Sequence, residues 1–160
     1  MFILYVKERG IIKMTNMGDA AESYSQRAGK PAATADLPKD YTSKAEKVIT
    51  ELRDELGRNY QNFTTSKIRN ILGMVSDIYN DVVFKQDETL SEDITERIEY
   101  LKVKLIYECG REPYVIKPFE YKAGLIRIIN GIGNSREKFI AFSRYMEALV
   151  AYHRYYGGKD

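Results

Sequence analysis

Three residue types are scarce in this chain of 160 residues: it has one cysteine, one histidine and no tryptophan. A single cysteine, Cys109, excludes an internal disulfide framework and any cysteine-rich zinc site. A single histidine, His153, excludes every metal or catalytic site that needs two imidazoles within one chain. No apolar run approaches the roughly 18 residues of a membrane span. Met1-Phe2-Ile3-Leu4-Tyr5-Val6 is apolar but short, and Lys7-Glu8-Arg9-Gly10 follows at once. With no basic stretch before it and no small-residue cleavage site after it, it does not read as a secretory signal. A lone free thiol suits the cytoplasm, the expected compartment. These scarcities tilt against a self-contained metalloenzyme or triad hydrolase and predict no cofactor. They do not exclude a carboxylate-based enzyme.

What remains is an ordinary globular balance, with 44% hydrophobic and 30% charged residues and 25 Lys+Arg against 23 Asp+Glu, a net +2. The length suits one domain with a core that needs no staples. Residues 1–40 are expected to be a flexible N-terminal tail, in which Met14 and Met17 are alternative starts and Gly29–Pro38 reads as a linker. The folded domain is expected over 41–160.

Within that domain the apolar spacing is helical, in five segments, and predicts a compact all-α bundle. The first, about 42–56, places Ala45, Val48, Ile49, Leu52 and Leu56 on one face and ends at Gly57. The second, about 65–83, repeats Ile68, Ile71, Leu72, Val75, Ile78, Tyr79 and Val82 at spacings of three and four. The third, about 91–109, carries Ile94, Ile98, Leu101 and Leu105, with Thr89 and Glu92 spaced as a capping box. The fourth opens at Pro118 and carries Phe119, Ala123, Ile126 and Ile129, until Gly131-Ile132-Gly133 stops it. The fifth starts at Asn134, with Glu137 three residues on. It buries Phe139, Phe142, Met146, Leu149, Val150 and His153, and ends at Gly157-Gly158. Tyr114-Val115-Ile116 is too short to read as a strand that changes the class.

The net charge hides a gradient. Residues 87–100 hold six acids against one base, and residues 101–138 hold eight bases against four acids. The acids open the third segment, where a helix dipole favours them. The second segment breaks that rule: Thr64-Thr65-Ser66-Lys67-Ile68-Arg69 has two bases and no acid. Free N–H groups, hydroxyls and cations there make a phosphate site. The same residues also fit a capped helix whose cations face solvent. Ser135-Arg136, with Lys138 beyond it, repeats the theme more weakly.

Other groups read more plainly. Gly131-Ile132-Gly133-Asn134 follows a helix rather than a strand and is a turn, not a phosphate loop. Asp77 and Asp81 lie one helical turn apart and have no further ligand nearby in sequence, so they read as a solvated face. Cys109 reads as a neutral thiol and His153 as packed and hydrogen-bonded. Tyr145, Tyr152, Tyr155 and Tyr156, with Arg144 and Arg154, suit either base stacking or a core and helix-pairing surface, and Ile140, Tyr145, Tyr152 and Tyr155 would form a second face.

Three blocks carry a resemblance: Thr64–Arg69, Leu101–Arg111 and, above all, Phe142–Gly158, which reads FSRYMEALVAYHRYYGG. Together they resemble the small subunit of type III-A CRISPR effector complexes, the Csm assembly, over about residues 42–160. The resemblance implies a compact five-helix protein without catalytic activity. Several copies would stack along the complex, opposite backbone subunits that hold the guide RNA and beside a large polymerase-like subunit. The small subunits would contact guide RNA and paired target RNA through basic residues. Lys67 and Arg69 fall in the first shared block, Lys102, Lys104 and Arg111 in the second, and Arg144 and Arg154 in the third. With Arg136 and Lys138 from the charge reading, these are the candidate RNA-binding residues. An A-form guide–target duplex is bound by shape, through phosphates and 2′-hydroxyls, so scattered Lys and Arg suffice and sequence is left to base pairing. A purely structural helical adaptor is the alternative.

Overall fold

The computed structural model describes the backbone of residues 3–8 and 11–16, and residues 36–160 in full. Two units divide the chain, Met1–Ala33 and Thr34–Asp160. In the first, β1 (Ile3–Glu8) pairs antiparallel with β2 (Ile11–Asn16), from Ile3 opposite Asn16 to Glu8 opposite Ile11. A tail was the expectation here. Ile3-Leu4-Tyr5-Val6 is an unbroken apolar run whose β-branched and aromatic residues favour extended backbone. Most of the expected linker lies outside the described residues.

The second unit is all-α. It comprises α1 (Tyr41–Leu56), a 3-10 helix (Gly57–Asn62), α2 (Thr65–Val83), α3 (Glu92–Arg111), α4 (Ile116–Ala123), α5 (Leu125–Ile132) and α6 (Arg136–Tyr155). The count is six α-helices, not five, because the expected fourth segment breaks at Gly124. That residue has φ 67 and ψ 32, the left-handed region that glycine enters without penalty. The break is held from both sides. Tyr145 Oη donates to the Ala123 carbonyl at 3.0 Å, and the Ile126 N–H at the start of α5 donates to Glu120 Oε1 at 3.1 Å. Burial raises the Glu120 pKa above the usual carboxylate range.

The predicted stripes form the core, with Ile49, Leu52, Ile68, Ile71, Val75, Ile94, Leu101, Leu105, Phe119, Phe139, Phe142, Met146 and Leu149 all buried. Helix α6 packs against α1, α2 and α5, while α3 packs against α2, α4 and α5. One expectation on α6 is corrected. Tyr145 belongs to the buried face, not to a second exposed one, because its hydroxyl finds the Ala123 carbonyl.

Two helix starts also differ from expectation. Ser91, not Thr89, is the N-cap of α3 and makes no side-chain cap bond. Thr89 instead forms a backbone bridge with Ser135, flanked by Leu90 N–H to Asn134 O at 2.8 Å and Arg136 N–H to Glu88 O at 3.1 Å. At α6 the cap is Ser135, whose Oγ accepts from the Lys138 N–H. These bonds fasten one end of the bundle.

The other end is closed by aromatic rings. Tyr60 from the 3-10 helix hydrogen-bonds His153 Nδ1 at 2.7 Å. Phe63 lies 4.6 Å from the His153 ring and 4.9 Å from Phe119, centroid to centroid. Burial, then the nearby Arg154 cation, lower the His153 pKa to about 4, so the ring is neutral at pH 7. Helix α6 then ends in a Schellman motif: Gly158 N–H donates to His153 O at 2.8 Å and Gly157 N–H to Arg154 O at 3.2 Å, with Gly157 at φ 86. Gly158 lies flat on the imidazole, where an added Cβ would meet Nε2 at 2.3 Å.

Two outcomes follow. Unfolded chain takes up a proton on His153 near pH 6.5 while the folded chain does not until about pH 4, so stability is full above pH 6.5 and declines below it. Urea unfolding should show a loss of about 2 kcal/mol between about pH 7 and pH 5. A flat profile would place the imidazole outside the core. Gly158→Ala should lower the denaturant midpoint by the equivalent of about 1–3 kcal/mol, as expected for overpacking against a ring that cannot retreat.

Candidate nucleic-acid interface

The helices are antiparallel where it matters, so the candidate cations fall into groups. The start of α2, the end of α3 and the end of α6 meet at the aromatic-closed end. Lys67, Arg69, Arg111 and Arg154 gather there. Arg136 and Lys138 sit at the opposite end, on the start of α6, while Lys102 and Lys104 lie along α3 and Arg144 lies midway along α6.

At the start of α2, groups from elsewhere in the chain engage part of the site. Thr64 is the N-cap but makes no side-chain bond. The Thr65 N–H donates to Lys159 O at 2.6 Å, so the chain's own backbone occupies that position. Lys67 N–H bonds Thr64 O at 3.1 Å. Lys67 Nζ is held at 3.1 Å both by Asn62 O and by Glu112 Oε2, tying α2 to the residue that follows α3. Two bases without an acid in this first turn therefore reflect partners from elsewhere: Glu112 for Lys67 and Asp160 for Arg69, whose Nη1 lies 3.8 Å from Oδ1.

Several other candidates are engaged by the fold, Arg136 and Lys102 partly buried and Lys138 exposed. Arg136 donates through Nε to Val82 O at 3.2 Å and through Nη2 to Val83 O at 3.1 Å. It caps the carboxyl end of α2, where a cation complements the dipole. Lys102 donates to Asn130 Oδ1 at 3.1 Å, also pairs with Glu99, and thereby joins α3 to α5. Lys138 Nζ reaches Gly131 O at 3.3 Å and Asp36 at 2.8 Å.

Arg111, Arg144 and Arg154 are also exposed, and Lys104 is partly so. Arg111 is half exposed and pairs with Glu108 at 2.8 Å. Lys104 sits over the exposed Tyr100 ring, 5.1 Å from its centroid, and the Tyr100 hydroxyl raises its pKa. Arg144 is exposed and has no ion pair or hydrogen bond among the described residues. Arg154 Nη1 reaches Asp160 Oδ1 at 2.8 Å and Gly158 O at 3.4 Å.

Sequence reasoning passed over Lys159. It follows two glycines, and its carbonyl meets α2 while its Nζ donates to Gln61 Oε1 at 3.0 Å. The aromatic candidates separate too. Tyr145 is buried, Tyr152 and Tyr156 are partly buried and stack on each other, and Tyr155 is exposed.

The groups weighed as catalytic are engaged elsewhere. Asp81 pairs with Arg97, so Asp77 and Asp81 are not two free carboxylates. Burial, with Glu120 nearby, pushes the Cys109 thiol up to about 12 and holds it protonated. Among the described residues no group of three or more His, Cys, Asp or Glu side chains converges on a metal position, and no helix is long and apolar enough to cross a membrane.

Comparison with known proteins gives a consistent result. The family model described as Csm2 Type III-A matches residues 42–159. The "CRISPR system Cms protein Csm2" of Enterococcus italicus is 38% identical over 121 residues, covering 70% of this chain and 86% of that protein. The protein of the same name from Mycobacterium tuberculosis is 36% identical, and that from Streptococcus thermophilus 37%. In both, the match covers 76% of this chain and 94% of the relative. The all-α unit, the three sequence blocks that it carries and these matches agree: the chain belongs to the Csm2 family, the small subunits of type III-A CRISPR complexes.

Proposed function

We propose that this small subunit has no chemistry of its own and binds the guide RNA–target RNA duplex through its phosphates. It does so as one of several copies stacked along a cytoplasmic Csm complex, beside the large polymerase-like subunit and the backbone subunits, in antiviral defence. One observation carries this reading. Lys67, Arg69, Arg111, Arg154 and Lys159 collect at one end of the bundle from four separate stretches of chain. Scattered cations on a helical frame, of which Arg69, Arg111, Arg154 and Lys159 are exposed and Lys67 partly so, suit the phosphates of an A-form duplex, whose deep groove is closed to side chains. Modest affinity per copy would be multiplied by tandem copies held at high effective concentration.

A purely structural adaptor is the second reading, and one observation favours it. Tyr100, Val103, Ile106 and Tyr107 are all exposed on α3, an apolar surface suited to another protein rather than to phosphate. The two readings differ in one measurement. The isolated protein should bind duplex RNA weakly, without sequence preference and less well as salt rises. Arg69→Ala with Arg154→Ala should weaken binding to every sequence and reduce the slope of log K against log salt by about one unit per lost phosphate contact. If the double variant binds and captures target RNA as well as the parent chain does, the adaptor reading stands instead.

A further inference from the structure

Residues 157–160 form a strap, and its Asp160 side chain meets two of the candidate cations. The strap is fixed at four points. The Schellman bond from Gly158 N–H to His153 O starts it. Gly158 lies on the His153 ring, Lys159 O accepts from the Thr65 N–H, and Lys159 Nζ donates to Gln61. This path delivers Asp160 to the gap between two helices. A single oxygen, Oδ1, lies 2.8 Å from Arg154 Nη1 at the end of α6 and 3.8 Å from Arg69 Nη1 near the start of α2. Two guanidinium groups from different helices thus converge on one anionic oxygen. That is the arrangement a backbone phosphate oxygen takes between two arginines.

We infer that Asp160 is an internal competitor for phosphate: its carboxylate holds the Arg69–Arg154 pair when no RNA is bound, and an RNA backbone phosphate displaces it. The inference rests on the duplex-binding reading and adds its regulation. The exchange needs no unfolding. The Asp160, Arg69 and Arg154 side chains are 67%, 57% and 46% exposed, so only the carboxylate has to swing aside while Gly158 and the Lys159 carbonyl stay in place. The same exposure limits the effect, since each exposed ion pair is worth little in water. Asp160 therefore tunes affinity and does not block binding.

The test measures binding of the full chain to an RNA duplex of about 20 base pairs at fixed salt. Asp160→Asn keeps the side chain's size and removes its charge. It should tighten binding about two- to fivefold, the range expected for releasing exposed ion pairs. Glu96→Gln, an exposed acid on α3 with the same change in net charge, controls for overall charge and should change binding by less. In the Arg69→Ala, Arg154→Ala background the Asp160→Asn effect should vanish. If the arginine variant binds more weakly but Asp160→Asn merely equals Glu96→Gln, the competitor is overturned while the duplex reading stands. If the arginine variant and Asp160→Asn both bind like the parent chain, the duplex reading fails at this end and the inference falls with it. If Asp160→Asn tightens binding equally with and without the arginines, the effect is general charge and the competitor is again overturned.

Discussion

The structure depends on the burial of one long helix. Helix α6 inserts Phe139, Phe142, Tyr145, Met146, Leu149 and His153 into the bundle without a break, and α1, α2 and α5 pack around it. Six buried side chains at spacings of three and four, most of them aromatic or large aliphatic, bring about 1.5–3 kcal/mol each from their removal from water. That continuous anchor fixes both ends of the molecule. At its start Ser135 and Arg136 hold the turn before α3 and cap α2. At its end His153 gathers Tyr60, Phe63 and the strap.

His153 shows how a scarce residue contributes without catalysis. A neutral imidazole offers one donor and one acceptor in a planar ring. Here one nitrogen bonds Tyr60 and the ring faces supply packing for Phe63 and Gly158. A purely apolar side chain would leave the buried Tyr60 hydroxyl without this partner. The phenol in turn has its pKa raised to about 12 by burial, so both members stay uncharged at pH 7.

The long helices were legible because each buries one regular stripe. Helices α1, α2 and α3 begin and end within about two residues of where the spacing of Val48, Ile71 or Leu101 and their neighbours places them. What escaped was non-periodic or non-local. The break at Gly124 is braced by the Tyr145 hydroxyl on the Ala123 carbonyl, 22 residues away in sequence. The occupied start of α2 depends on Lys159 and Glu112, which no local pattern at Thr64–Arg69 announces. For the candidate site, sequence identified the cations but not their employment. Arg136 and Lys102 look like Arg144 in a composition, yet the first two satisfy carbonyl and amide oxygens while Arg144 faces solvent. A formal charge is local information, and its availability is tertiary.

Helix α3 divides its charges along its length, with acids at its start and Arg111 at its end. Acids such as Glu92, Asp93 and Glu96 open α3 at one end of the bundle, and Arg69, Arg111, Arg154 and Lys159 stand at the other. Each end also holds the opposite sign, with Arg136 and Lys138 near the acids and Glu108, Glu112 and Asp160 among the bases. Opposite charges paired this closely largely cancel beyond about 10 Å at ordinary salt, so each end of the bundle acts electrostatically only at short range.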